Sequence, residues 1–146
     1  MDKLTKLALE HGQVFETLAF FKESIFLADP KKKPQERLKE LYKFFSEEVV
    51  KHFQFEEEEI FPSVISAGTQ EEKIIVRSLQ HEHIDILDKI DQFKDSILNS
   101  NLDENKRQMQ ESLTLSKEIM ELMLKHARKE DDSLFPLLKN RGFEFA

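Results

Sequence analysis

Apolar residues in this chain recur at alternating spacings of three and four, and in each of four stretches a histidine interrupts that rhythm. Leu4, Leu7, His11, Val14, Leu18, Phe21 and Ile25 form the first series. Tyr42, Phe45, Val49, His52, Glu56 and Ile60 form the second, and Val76, Leu79, His83, Ile86, Ile90, Phe93 and Ile97 the third. Met109, Ile119, Met123, His126, Glu130 and Leu134 share the stripe of the fourth. At about 3.6 residues per turn each series lines one face of a helix. Asp29-Pro30, Ala67-Gly68-Thr69 and Asn99-Ser100-Asn101 punctuate the stretches. Pro34 suits the first turn of the second helix, and Thr69 is placed to cap the third ahead of Glu71 and Glu72. The second helix is expected to reach about Ser66, and the fourth to run from near Asp103 to about Lys139. Long helices joined by short loops lie antiparallel to their neighbours. The expected fold is therefore all-α, an up-down-up-down four-helix bundle, with residues 1–146 as one domain.

The chain also repeats itself. His52 to Pro62 answers His126 to Pro136 at an offset of 74 residues, and Leu7 to His11 answers Leu79 to His83 at 72. Two helical hairpins of one design, about 3–66 and 69–139, each offer one His from the first helix and His-x-x-x-Glu from the second. Counting residues to the breaks at about 1.5 Å per residue puts His11, His52 and His83 at one level within ~2 Å. The same count leaves His126 ~7.5 Å away.

A single histidine on an apolar stripe is ordinarily a satisfied core residue. Four of the five on stripes, two of them with Glu at i+4, point instead to a shared metal site. Residues four apart stack on one helical face, so His52 with Glu56 and His126 with Glu130 can reach one cavity, joined by His11 and His83. Four neutral imidazoles and two carboxylates carry a formal charge of about −2, which a pair of di- or trivalent cations compensates. Each carboxylate can bridge two metals through its two oxygens and leave positions open for water or a small ligand. Imidazole and carboxylate without thiolate suit iron or manganese, and also zinc. His81 lies about 200° around the helix from His83 and is expected at the surface. Glu56 to Glu59 read as a solvated face from which only Glu56 has the right register. Glu10 and Glu82 are expected to be exposed, with acceptance of an imidazole N–H as the alternative. Phe45, Val49 and Met123 are expected to wall the cavity, and Tyr42 to pack in the core.

These residues resemble the hemerythrin-like, or HHE cation-binding, domain over nearly the whole chain. That family's pattern falls on His11, on His52 with Glu56, on His83, and on His126 with Glu130. The resemblance implies a non-haem di-iron centre inside a four-helix bundle: two iron ions bridged by carboxylate, oxo or hydroxo groups. It also implies a small diatomic partner, O2 or NO, and roles in oxygen binding, in sensing oxygen or iron redox state, or in repair of iron–sulfur proteins. The oxygen carriers of the family have His-x-x-x-His on helix three, where this chain has Leu79 four before His83. They also place an Asp five after the last ligand His, a spacing met by Asp131, which competes with Glu130 for the ligand position. The missing His moves the expectation from reversible carriage toward sensing or repair. The chain contains no Cys, so the cysteine-bearing segment of some repair proteins is not matched.

Composition bounds the remaining classes. A net charge of −7 disfavours nucleic acid and anionic membrane surfaces as partners. Without Cys there are no disulfides, zinc fingers or cysteine-ligated clusters, and with no secretory signal at Met1 to Gly12 a cytoplasmic location is expected. A ferritin-like oxidase needs Glu-x-x-His on two helices, and the chain has none. A di-iron enzyme acting on nitric oxide or peroxide and a metal-free helical adaptor are the competing readings.

Overall fold

The computed structural model describes residues 2–26, 34–98, 102 and 104–145. Four rods make up the bundle. The first, α1, is Lys3–Phe26. The second, α2, occupies 34–67 as α-helical pieces Pro34–Phe44, Val50–Phe55 and Phe61–Ala67, spliced by π-helical turns Phe45–Val49 and Glu56–Ile60. The third, α3, is Gln70–Leu98, and the fourth, α4, joins Lys106–Lys129 to Phe135–Asn140 through the π turn Glu130–Leu134. No strand occurs among the described residues. The expected break at Asp29-Pro30, the basic Lys31-Lys32-Lys33, Asn99-Ser100-Asn101 and Asp103 lie outside the described residues.

Paired contacts establish the antiparallel order. Lys3 reaches Glu59 and His11 meets His52 between α1 and α2. Lys129 meets Ser78, His126 meets His83, Glu118 meets Lys89 and Ser112 meets Ser96 between α4 and α3. In both cases one partner's number rises as the other's falls. The Ser96–Ser112 contact lies 13 residues from His83 and 14 from His126, so the two histidines share a level. The mismatch in the residue count has a simple origin. It assumed a tight turn, whereas α4 begins at Lys106, capped by Asn105, with seven residues between it and Leu98. A connection of that length lets α4 start past the end of α3.

The junction of α2 and α3 follows the expected chemistry. Thr69 Oγ1 accepts from the Glu72 amide at 3.2 Å, and Glu72 Oε1 accepts from the Thr69 amide at 2.8 Å, a reciprocal capping box. Arg141 adds a two-pronged ion pair to Glu72 and ties down the end of α4. Gly68 is needed for space, because a Cβ there would collide with the Val64 carbonyl oxygen. Thr69→Ala is expected to cost about 1 kcal/mol and lower the melting midpoint by about 2–4 °C, with metal content unchanged. Calorimetry checks this.

The π turns have a sequence cause at two of their three positions. Pro62 has no N–H for the Glu58 carbonyl and its ring crowds that oxygen; Pro136 stands in the same relation to Asp132. The chain responds with wider turns, in which Phe61 N–H donates to Glu56 O and Phe135 N–H to Glu130 O. One extra residue rotates the stripe by about 100°. Ile60 and Phe61 are therefore both buried though adjacent, as are Leu134 and Phe135.

Two apolar clusters result. One contains Leu18, Phe21, Leu41, Phe45, Ile86, Phe93, Ile97 and Ile119; the other contains Leu7, Ile60, Phe61, Val64, Val76, Leu79, Leu134 and Leu138. Tyr42 packs against the first, edge-on to Phe93, as expected. Between the clusters lies a polar layer.

Candidate metal centre

All four stripe histidines are buried in that layer, together with Glu56 and Glu130, which have no exposed surface. The Nε2 atoms converge in pairs. His11 and His52 approach to 3.0 Å, and His83 and His126 to 2.9 Å. Glu56 Oε1 lies 3.4 Å from His52 Nε2 and 3.2 Å from His83 Nε2. Glu130 Oε1 lies 3.1 Å from His126 Nε2 and 3.5 Å from His11 Nε2. Each carboxylate therefore stands between the two imidazole pairs. Ligand atoms of His11, His52, Glu56 and Glu130 fall within 4.8 Å of one another, and those of Glu56, His83 and His126 form a second such group.

The outer edge of each imidazole determines what the inner edge can do. His11 Nδ1 meets Asp131 at 2.8 Å, His52 Nδ1 meets Glu10 at 2.7 Å, His83 Nδ1 meets Glu57 at 2.8 Å and His126 Nδ1 meets Glu82 at 3.3 Å. An ionised carboxylate only accepts hydrogen bonds, so each Nδ1 carries the proton and donates it. In the neutral ring the Nε2 is then a bare lone pair. Two such lone pairs at about 3 Å repel, as do the buried oxygens around them. Glu56 Oε2 and both oxygens of Glu130 have no hydrogen-bond partner at all. Only cations, protons or metals, reconcile these groups with burial.

Electrostatics points the same way. Burial opposes ionisation of Glu56, but the facing imidazoles of His126 and His83, with His52 close by, outweigh it and hold the carboxyl down at about 2. Burial likewise opposes a charge on His126, yet the Glu56 and Glu82 carboxylates win and raise its pKa above the usual 6.5. Glu82 is pulled down to about 2 by His126 and, against some burial, by Lys129.

Aromatic rings complete the cage. Phe61 stacks on His83 at 5.4 Å and Phe135 on His11 at 5.9 Å, so the repeated Phe-Pro flank supplies one ring and one π turn per hairpin. A void of about 20 Å³ adjoins His11, His52 and His126 and is otherwise walled by Val14, Val49, Phe53, Met123 and Ala127. Val49 and Met123 are where the sequence put them, whereas Phe45 lies deeper, against Phe93.

The six inward residues expected from the sequence all meet. His81 is exposed, as expected, and Asp131 faces the outer side of His11 while Glu130 faces inward. Glu10 and Glu82 are partly buried acceptors, which was the alternative reading for them. The sequence reading missed Glu57, placed with the solvated run. Its signal was available: Glu57 and Asp131 are 74 residues apart, the same offset as Glu56 and Glu130.

A helical bundle that gathers four imidazole nitrogens and two carboxylates, three of whose four oxygens lack a partner, between apolar layers defines a cation-binding protein. The family model described as the hemerythrin HHE cation binding domain matches residues 2–139, and the chain belongs to that family. Comparison with curated proteins and with solved structures gave no significant match. No described helix is long and apolar enough to cross a membrane.

Proposed function

We propose that the chain holds two iron ions through His11, His52, Glu56, His83, His126 and Glu130, and that it binds or senses a small diatomic molecule, O2 or NO, or the redox state of the iron. One observation carries this reading: four Nε2 atoms directed inward with their Nδ1 protons already committed, around carboxylate oxygens with no other partner. His11 and His52 form one half of the donor set, His83 and His126 the other, and Glu56 and Glu130 are shared. Iron would supply Lewis acidity and one-electron chemistry when bound; manganese suits the same donors, and zinc can also occupy them. The protein's own contribution is to fix the tautomers from outside and to exclude bulk water with Phe53, Phe61 and Phe135.

Binding is favoured over turnover by the void. At about 20 Å³ it has room for a water-sized or diatomic guest and little more. Its walls are apolar apart from the imidazoles, so it offers no separate proton donor. Leu79, fully buried in the apolar cluster, stands where the oxygen carriers have a further histidine. That makes the two halves of the donor set alike and favours sensing over carriage. Metal analysis and the visible spectrum of purified protein test the centre, with two irons per chain expected. Catalytic consumption of nitric oxide or peroxide with a supplied reductant would move the assignment to an enzyme; stoichiometric binding supports the sensor. A chain that takes up no metal would be an adaptor.

A further inference from the structure

The two hairpins repeat their inward groups faithfully but differ on their outer faces. Residues at equivalent offsets make the comparison direct: Glu10 corresponds to Glu82, Lys6 to Ser78 and Phe55 to Lys129. In the second hairpin the Lys129 ammonium, on α4, donates to Glu82 Oε2 at 2.8 Å and to Ser78 Oγ, both on α3. Lys129 thus straps the two helices together directly outside His126, which is 2% exposed. In the first hairpin that position is Phe55, and Lys6 sits over its ring at 4.0 Å instead of reaching the carboxylate. Among the described residues no lysine or arginine pairs with Glu10. The groove there, about 570 Å³, is lined by Glu10, Glu48, Lys6 and Lys51 and has His52 itself in its wall, and His52 is the most exposed of the four imidazoles at 9%. The corresponding groove outside the second hairpin, about 410 Å³, is lined by Glu82 and Lys129.

A ligand histidine must swing aside before a cation can pass it. His52 with Glu10 can turn into an open groove, whereas His126 can turn only if the Lys129 strap is broken as well. The hydrogen bond to His126 is longer than that to His52, because Glu82 divides its carboxylate between the imidazole and the ammonium. The difference between the halves is therefore one of access, not of hydrogen-bond length. We infer that the two cation positions exchange at different rates: the His11–His52 half loads and releases its ion through the groove of the first hairpin, while Lys129 locks the His83–His126 half. This rests on the two-metal reading above and assigns Lys129 as a positioning residue acting through Glu82.

The test is anaerobic release of ferrous ion from the fully loaded protein into excess colorimetric chelator. Two phases of equal amplitude are expected, separated by about tenfold in rate, the lower end of the effect seen for partners of metal-bound histidines. Lys129→Met keeps the aliphatic stem and removes the charge, and is expected to bring the slow phase to within about threefold of the fast one. Lys129→Arg is expected to restore the slow phase. The double substitution Lys6→Ser with Phe55→Lys moves the strap to the first hairpin and is expected to slow the fast phase. Release of two ions in a single phase, or a slow phase indifferent to Lys129→Met, overturns the inference and leaves the metal centre standing. Protein that takes up no ferrous ion overturns both.

Discussion

Replacing Glu56 and Glu130 together by glutamine is expected to abolish metal binding and leave the bundle folded. Among the described residues the two carboxylates are the only inward anions of the polar layer, and three of their four oxygens have no hydrogen-bond partner. Glutamine preserves their volume but removes both charges, so the cage no longer offsets those of two cations. We expect affinity to fall at least about a thousandfold, about 4 kcal/mol. Metal analysis after removal of unbound ion should read near zero. Glu56→Gln alone should be more damaging than Glu130→Gln alone, because Glu56 belongs to both groups of converging donors. The helical signal should persist, since the apolar clusters on either side do not involve these residues. The metal-free double variant should melt somewhat lower than metal-free wild type at neutral pH, because the pairing of the Glu56 carboxylate with the facing imidazoles is lost. Retention of two ions by the double variant would exclude these carboxylates as ligands.

Stripping the metal from the native chain is expected to lower the melting midpoint by about 10 °C. A ligand held at 100 to 1,000 times its dissociation constant stabilises by about 2.7–4.1 kcal/mol. For a chain of this length each kcal/mol is worth about 2–4 °C. The gap should also depend on pH in a definite direction. The raised pKa of His126 contributes stability to the metal-free form that is complete below 6.5 and lost as pH rises through the folded value. Glu56 and Glu82, held down at about 2, contribute stability present above 4.5 and lost as pH falls toward 2. Metal-free protein should therefore be most stable between about pH 4.5 and 6.5. Metal competes with protons at Nε2, so the loaded form gains as pH rises. Melting curves of both forms from pH 5.5 to 8 should diverge steadily; parallel curves would show that protons and metal do not share these nitrogens.

The stripes Val76 to Ile97 and Leu4 to Ile25 were legible as helices because burial on one face imposes a period on the sequence whatever lies opposite. The six inward groups were legible for the same reason, since a histidine or glutamate on such a stripe has no route to water. Offsets of 72 and 74 residues added the pairing of the hairpins. Residues just off the stripe were harder to read. Glu57, Glu10, Glu82 and Asp131 occupy boundary positions where sequence period does not separate solvent from a neighbouring helix.

Chain order and periodicity alone thus determined that four helices would each bring one imidazole inward, and that two would add a carboxylate. Only the tertiary structure decided the height of His126, the choice of Glu130 over Asp131 for the interior, and the strap of Lys129 across one hairpin. The height depends on the length of the connection after Leu98, the choice on how α4 is turned against α1, which leaves Asp131 on the outer side of His11, and the strap on which side chain of α3 faces α4. Each is a relation between helices, and the pattern along one helix carries no information about its partner's rotation or rise.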